Sequence, residues 1–249
     1  MFEREHHRRI AKVLAAFDAK VLEDAQCFFG GGTAIALSLG EYRRSDDIDL
    51  LCSSREGYRT LRNLVNSDLG PLLRTPQKHM REVRADMYGI RTVLEVDGAP
   101  VKVEIVSEGR IEVTGTMHSE FGVPTLSRVD MFAEKLLANA DRARDKSVSS
   151  RDIIDLAMMI DGWGPIPPAA WQKAVAPYGE LVDKAFRAAT AMVADQAYLG
   201  SCLKAMQMDA ALAPRILAAL GPPPEPGLLR TIRGTPNDSS PSLVPRKRP

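Results

Sequence analysis

Three consecutive glycines, Gly30-Gly31-Gly32, stand between the apolar run Phe28-Phe29 and the stretch Thr33-Ala34-Ile35-Ala36-Leu37. A short basic loop, Tyr42-Arg43-Arg44-Ser45-Asp46, then leads into Asp47-Ile48-Asp49-Leu50-Leu51-Cys52. That order predicts a strand, a glycine turn, a short helix over Thr33 to Leu39, a loop and a second strand. Glycine carries no Cβ, so backbone N–H groups at such a turn can approach phosphate oxygens, and the helix start adds its positive dipole end. Side chains alternate along a strand, which sends Asp47 and Asp49 to one face and Ile48 and Leu50 to the core. Two carboxylates on one strand beside a phosphate cradle suit Mg²⁺, which prefers oxygen ligands and keeps contacts to substrate phosphates. Taken singly, a glycine turn is often only a tight turn, and an Asp-x-Asp pair also occurs in calcium loops, in glycosyltransferases and on solvated edge strands. The combination places charges at the end of a buried run, where they are costly without a role.

The rest of the chain predicts a mixed sheet with flanking helices, an α/β (α+β) fold, followed by a helical C-terminal part. Ile10, Val13, Leu14, Phe17 and Val21 recur at helical spacing, which predicts one amphipathic helix over residues 3–23. Ser54 is a helix cap for a helix carrying Tyr58, Leu61, Leu64 and Val65, with Gly70-Pro71 as its stop. Val83 to Met87, Arg91 to Val96 and Val101 to Val106 read as strands, the last two joined by a turn at Asp97-Gly98. In the last strand Val101, Val103 and Ile105 share one face, and Lys102, Glu104 and Val106 the other, so Glu104 is a third carboxylate candidate. The rival reading is an exposed cross-strand pair of Lys102 with a neighbouring acid.

From Pro124-Thr125-Leu126-Ser127 onward the pattern turns helical, which places a domain boundary near residue 125: a first domain at 1–125, a helical domain at 126–220 and a tail at 221–249. Met131, Leu136, Leu137 and Ala140 mark one core face; Ile153, Leu156, Ala157 and Ile160 mark another. Periodicity alone leaves Lys135, Asp152 and Asp155 as solvated helix positions, with an Arg151 to Asp155 ion pair available. Trp163-Gly164-Pro165-Ile166-Pro167-Pro168 stops that helix, and three or four more run from about Ala169 to Leu220. Met192, Met206 and Met208 read as core filling. The Pro- and Ser-rich tail lacks the apolar content to offset its ordering entropy and is expected to be disordered.

Composition excludes several classes. A formal net charge of +1 gives no global nucleic-acid signature, though a local one remains open. Cys27, Cys52 and Cys202 lack C-x-x-C spacing and read as ordinary buried thiols. His6, His7, His79 and His118 lack metal spacing, and neither G-x-S-x-G nor G-K-[ST] occurs. No apolar run reaches membrane-spanning length and no signal core adjoins the N-terminus, so a cytoplasmic location is expected, with no membrane partner.

Gly31-Gly32-Thr33-Ala34-x-Ala36-Leu37 followed by Arg44-Ser45-x-Asp47-Ile48-Asp49-Leu50 resembles the nucleotidyltransferase motif of the DNA polymerase β-like superfamily. Within it the pattern is similar to the AbiEii/AbiGii toxin family, whose downstream helical motif has its likeness in Lys135-Leu136-x-Ala138, Asp141-Arg142 and Arg151-Asp152-Ile153-Ile154-Asp155-Leu156. The resemblance covers roughly residues 25–160. It implies Mg²⁺-dependent transfer of a nucleoside monophosphate from an NTP to an acceptor hydroxyl. Gly31, Gly32, Thr33, Arg44, Ser45 and Lys135 are then nucleotide-binding; Asp47, Asp49 and Glu104 hold metal; and Asp47, Asp49, Glu104, Lys135 and Asp152 form the catalytic set, supported by Arg142 and Arg151. A toxin of this type implies an RNA acceptor, such as a tRNA end, and a separately encoded antitoxin. Two other functions use the same motif: a small-molecule nucleotidyltransferase acting on an aminoglycoside-like hydroxyl, and a non-catalytic antitoxin or binding module.

Overall fold

The computed structural model describes residues 2–142 and 145–221; of the segment read as a disordered tail, residues 222–249 lie outside them. Seven strands form one mixed sheet: β1 (Cys27–Gly30), β2 (Asp47–Cys52), β3 (Lys78–Ala85), β4 (Gly89–Val96), β5 (Ala99–Ser107), β6 (Gly115–Met117) and β7 (Pro124–Leu126). Their order is β3-β4-β5-β2-β1-β7-β6. β2 runs parallel to β5 and β1 parallel to β7, while the other pairs are antiparallel. In β2, β4 and β5 the period-2 reading holds in register, whereas the strand expected over Val83 to Met87 runs instead from Lys78 to Ala85, with bulges in its pairing to β4. Ile48, Leu50, Ile90, Leu94, Val101, Val103 and Ile105 are buried on the inner face, and Asp47 pairs with Lys102 and Asp49 with Glu104 on the outer one. The Asp97-Gly98 turn has both residues at positive φ, the signature of a tight two-residue hairpin.

Helices α1 (Glu5–Ala16), α2 (Ala19–Asp24) and α4 (Arg55–Leu64) lie against β4, β1 and β2, and α3 (Gly31–Ser38) follows β1 directly. The single helix expected over 3–23 is two. Phe17 turns extended and bridges to Leu73, and the Asp18 side chain accepts from the N–H groups of Lys20 and Val21 to start α2. A local cap and a burial site for Phe17 outcompete a continuous helical stripe. Ser54 caps α4 as expected, accepting from Gly57 N–H. That helix ends at Leu64, however, before Gly70-Pro71, which instead forms a 3₁₀ turn.

β7 leads into α5 (Arg128–Arg142), α6 (Arg151–Trp163), α7 (Pro168–Tyr178), α8 (Leu181–Val193), α9 (Gln196–Ala205) and α10 (Ala213–Leu220). α5 packs on α6, α7 and α8, and both α5 and α6 reach back to α3. One hydrophobic cluster runs from Phe29 and Ile35 through Phe132 and Leu136 to Ile153 and Leu156. Met206 and Met208 join it, as core filling requires, whereas Met192 is only half-buried and stays outside it. All three cysteines are buried free thiols, and Cys27 and Cys52, distant in sequence, are register partners on β1 and β2. Among the described residues no helix is long and apolar enough to cross a membrane.

Candidate active site

The three glycines each meet a different demand. A Cβ on Gly30 would strike Leu126 and Leu51, so this glycine lets β7 and β2 close on β1. Gly31 has φ +66°, a left-handed conformation costly for other residues, and a Cβ there would collide with the Asp49 carboxylate. A Cβ on Gly32 would collide with the Arg43 guanidinium. The turn is thus shaped by charged groups that crowd the start of α3.

Those groups surround a cavity of about 310 Å³. Gly31, Gly32 and Ser45 line one side, Asp47, Asp49, Lys102 and Glu104 the sheet side, and Lys135, Arg142 and Arg151 the helical side. Thr33 sits just beneath. It is buried, and its hydroxyl joins the Ser45 hydroxyl (2.7 Å) and the Asp47 carbonyl, tying the glycine turn to the loop before β2. Burial, then the neighbouring Asp47 charge, pushes the Asp49 carboxyl above the usual carboxylate range. Glu104 accepts from Arg91 Nε at 2.7 Å and lies 3.3 Å from Lys102 Nζ, which is itself 3.9 Å from Asp47. Glu104 thus stands in register with Asp49 and is ion-paired across strands to Arg91.

Beneath Lys135 lies a buried charge cluster that periodicity did not reveal. Asp155, completely buried, accepts from Tyr42 Oη (2.6 Å), Arg43 Nε (2.7 Å) and Arg43 Nη2 (2.9 Å), and Lys135 Nζ is 2.7 Å away. Asp152 accepts from Lys135 Nζ at 3.0 Å and from Arg142 at 2.8 and 3.0 Å. Burial alone would raise the Asp155 pKa, but Arg43 and then Lys135 reverse this and hold it well below the carboxylate range. Asp155 is therefore no solvated helix position and makes no pair with Arg151. Arg43, Lys135 and Arg142 against Asp152 and Asp155 leave one positive charge in excess, and Arg151, which has no ion pair among the described residues, adds another at the rim. The floor of the cavity is consequently suited to an anion.

Arg44 lies outside this cavity, paired with Asp46 at 2.7 Å. Its neighbour Arg43 takes the inward position. The sequence reading also missed Glu108, Arg110 and Glu134 on the far wall. Arg110 reaches Glu108 at 2.7 Å, Glu134 at 2.8 Å and Asp141 at 3.2 Å. Burial, then Glu108, pushes Glu134 up to about 8 despite Arg110, so this pair carries a proton at neutral pH. A Glu-x-Arg after a strand gives no periodic signal, and Glu134 arrives from another element. His7, dismissed as a metal ligand, is a buried brace. Ser45 N–H donates to its Nε2 (3.3 Å), leaving Nδ1 to donate to Glu41 (2.6 Å).

Asp47 and Asp49 supply oxygen donors from alternate positions of one strand, which fits a Mg²⁺ ion that completes its shell with substrate phosphates. Like-charge pressure on Asp49 is what such a cation relieves. Among the described residues no three His, Cys, Asp or Glu side chains gather as a complete metal cage.

A family model described as nucleotidyl transferase AbiEii toxin, type IV TA system, matches residues 12–220. Among curated proteins nothing matches the chain. Among solved structures, JHP933 from Helicobacter pylori shares 15% identity over 88% of this chain and 92% of its own, with a TM-score of 0.50. MenT4, a nucleotidyltransferase toxin from Mycobacterium tuberculosis H37Rv, shares 15% identity over 87% of this chain and 94% of its own, at a TM-score of 0.34. An antigenic nucleotidyltransferase-like protein from Paracoccidioides brasiliensis shares 19% over 84% and 97%, at 0.45. At such identities the JHP933 likeness speaks for the fold.

Proposed function

Because the chain belongs to the AbiEii nucleotidyl transferase toxin family of type IV toxin–antitoxin systems, we propose that this cavity moves a nucleoside monophosphate from an NTP to the 3′ hydroxyl of an RNA. The observation that carries this reading is the facing of Asp47 and Asp49 on β2 against Gly31, Gly32, Lys135, Arg142 and Arg151 across one cavity. Carboxylates for a cation and cations for phosphates are the two halves of phosphoryl-transfer chemistry.

Asp47 and Asp49 would hold Mg²⁺, with Glu104, one strand away, as the third acid; a bound ion would supply charge neutralisation at the phosphates. Gly31 and Gly32 offer backbone N–H groups to the triphosphate, and Lys135, kept in place by Asp152 and Asp155, bears on it as a fixed positive charge. Ser45 completes the cradle, Thr33 holds the turn and loop together, and Arg43 contributes field from below. Arg44, outside the cavity, is left a role at its approach. The acceptor oxygen forms a bond to the α phosphorus, the bond to the bridging oxygen breaks, and pyrophosphate leaves. The hydroxyl proton passes to Glu104. In this reading the boundary near residue 125 is functional: β2 and β5 before it bring Asp47, Asp49 and Glu104, and α5 and α6 after it bring Lys135, Arg142 and Arg151. Membership of the family implies a separately encoded antitoxin.

The test is incubation of the full chain and of Asp47→Asn/Asp49→Asn with Mg²⁺, each α-labelled NTP and total bacterial RNA. Label in RNA that requires both acids is expected, with the variant melting no lower than wild type, since Asp49 is strained by its charge. Transfer by the double variant sinks the metal assignment.

A further inference from the structure

Two cross-strand rows run outward from the paired aspartates. In the first, Asp49 on β2 pairs with Glu104 on β5, Glu104 with Arg91 on β4, and Arg91 with Arg84 on β3. In the second, Asp47 pairs with Lys102, Lys102 with Val93, and Val93 with Arg81. Directly paired residues share a face, so both rows lie on the outer side of the sheet. Each changes from acidic at the cavity to basic at the sheet edge. Arg81, Arg84, Arg91 and Lys102 line one hollow of about 550 Å³, and Lys102 also lines the active cavity, so the two adjoin at that side chain.

Arg91 is spoken for by Glu104 and Asp86, but Arg81 and Arg84 are exposed and, among the described residues, free of any ion pair. Charges on an edge strand often serve only to block strand addition. Lys78, paired with Glu95 at 2.9 Å, fits that role; the unpaired arginines stand in register with the acids instead. At the roughly 4.8 Å spacing of neighbouring strands, β3 is about 14 Å from β2. That is about four nucleotides at the ~3.4 Å rise of a stacked strand.

We infer that the outer face of the β3–β4–β5 ribbon is the track of the acceptor RNA, with Arg81 and Arg84 neutralising backbone phosphates upstream of the 3′ hydroxyl delivered to Glu104. This rests on the RNA-acceptor reading above and adds where the strand lies. A single strand fits better than a duplex, because the row is narrow and leads into a cavity.

The experiment compares full-length wild type, Arg81→Gln/Arg84→Gln and the charge-matched Arg55→Gln/Arg59→Gln on α4. The probe is an unstructured single-stranded RNA with a free 3′ hydroxyl, and its affinity is measured against salt concentration. Loss of two phosphate contacts is expected to weaken binding at least about tenfold and to flatten the log–log salt slope by about 1.4, at 0.7 per contact. Binding of α-labelled NTP and the melting temperature stay at wild-type values, and the α4 pair keeps the full slope. An unchanged slope in Arg81→Gln/Arg84→Gln, or an equal loss in both variants, overturns the track while leaving RNA transfer standing. If wild type neither binds nor labels the RNA, the RNA-acceptor reading itself falls and takes the track with it.

Discussion

Asp155→Asn removes one negative charge from the most enclosed electrostatic cluster in the molecule. The carboxylate accepts from Tyr42 and twice from Arg43 and lies 2.7 Å from Lys135, with no exposure to solvent. Asparagine keeps the shape and one acceptor oxygen but leaves Arg43 buried without its counter-charge. Lys135 retains Asp152 at 3.0 Å, so the loss falls mainly on Arg43. Breaking a buried pair by removing one partner costs about 3–5 kcal/mol. At roughly 2–4 °C per kcal/mol for a chain of this size, the melting temperature should fall by about 6–20 °C. Asp152→Asn is the control: Arg142 is 35% exposed and Lys135 keeps Asp155, so hydration softens the cost to about 1.5–3 kcal/mol. The pH dependence adds a second signature. Asp155 is held below its unfolded value of 3.8, so the stability it confers is present above about pH 4 and is lost as pH falls further. The variant's stability curve should be flatter in that acid range. Circular dichroism melts from pH 7 down to pH 3 supply both readouts. A loss below about 1 kcal/mol at neutral pH, or an unchanged acid limb, would refute the picture of a dry, mutually dependent cluster.

Gly31→Ala should lose roughly 1–3 kcal/mol in denaturant titrations, from left-handed strain plus the collision with Asp49, and should also depress transfer. Gly40→Ala, at φ +76° with nothing near its Cβ, isolates the strain and should cost about 1 kcal/mol with transfer intact; equal behaviour of the two would remove the steric argument. Glu134 keeps its proton in the folded chain to about pH 8 and releases it in the unfolded chain near 4.5, so wild-type stability should decline between those values. Glu134→Gln should abolish that decline in melts from pH 4.5 to 8, and a persistent decline would assign it to another group.

The sheet side of this protein was legible because strand alternation is strict. Once Asp47-Ile48-Asp49-Leu50 is a strand with a buried face, both carboxylates must share the other face, and Glu104 follows from the same rule on β5. The Ser54 cap and the Asp97-Gly98 turn were readable for a similar reason: each is a local motif whose partners lie within three residues. Loops obey no such period. Which of Arg43 and Arg44 points inward is settled by Asp155, 112 residues away, so adjacent arginines of equal composition separate only in three dimensions. Asp155 looked like a solvated helix position because its cations come from another helix and from a loop. Glu108, Arg110 and Glu134 converge from the end of β5 and from α5, and no spacing rule joins them. The break at Phe17-Asp18 was signalled by a good capping residue, but the apolar stripe continuing to Val21 outweighed it.

His7 ties the two ends of a mechanical linkage. Backbone N–H groups of Glu3 and Arg4 and the Nδ1–H of His7 all grip the Glu41 carboxylate, while His7 Nε2 holds Ser45, and Ser45 in turn holds Thr33 at the glycine turn. The first helix is therefore a strut that sets the height of the glycine turn. Because Ser45 donates to Nε2, only the neutral ring serves: a proton there would put two donors face to face. Burial keeps the His7 pKa below its ordinary value, so the strut stays engaged through neutral pH. Residues as remote from the cavity as Glu3 and Arg4 thus belong to its framework, and a fusion or trimming that disturbs them is felt at the glycine turn.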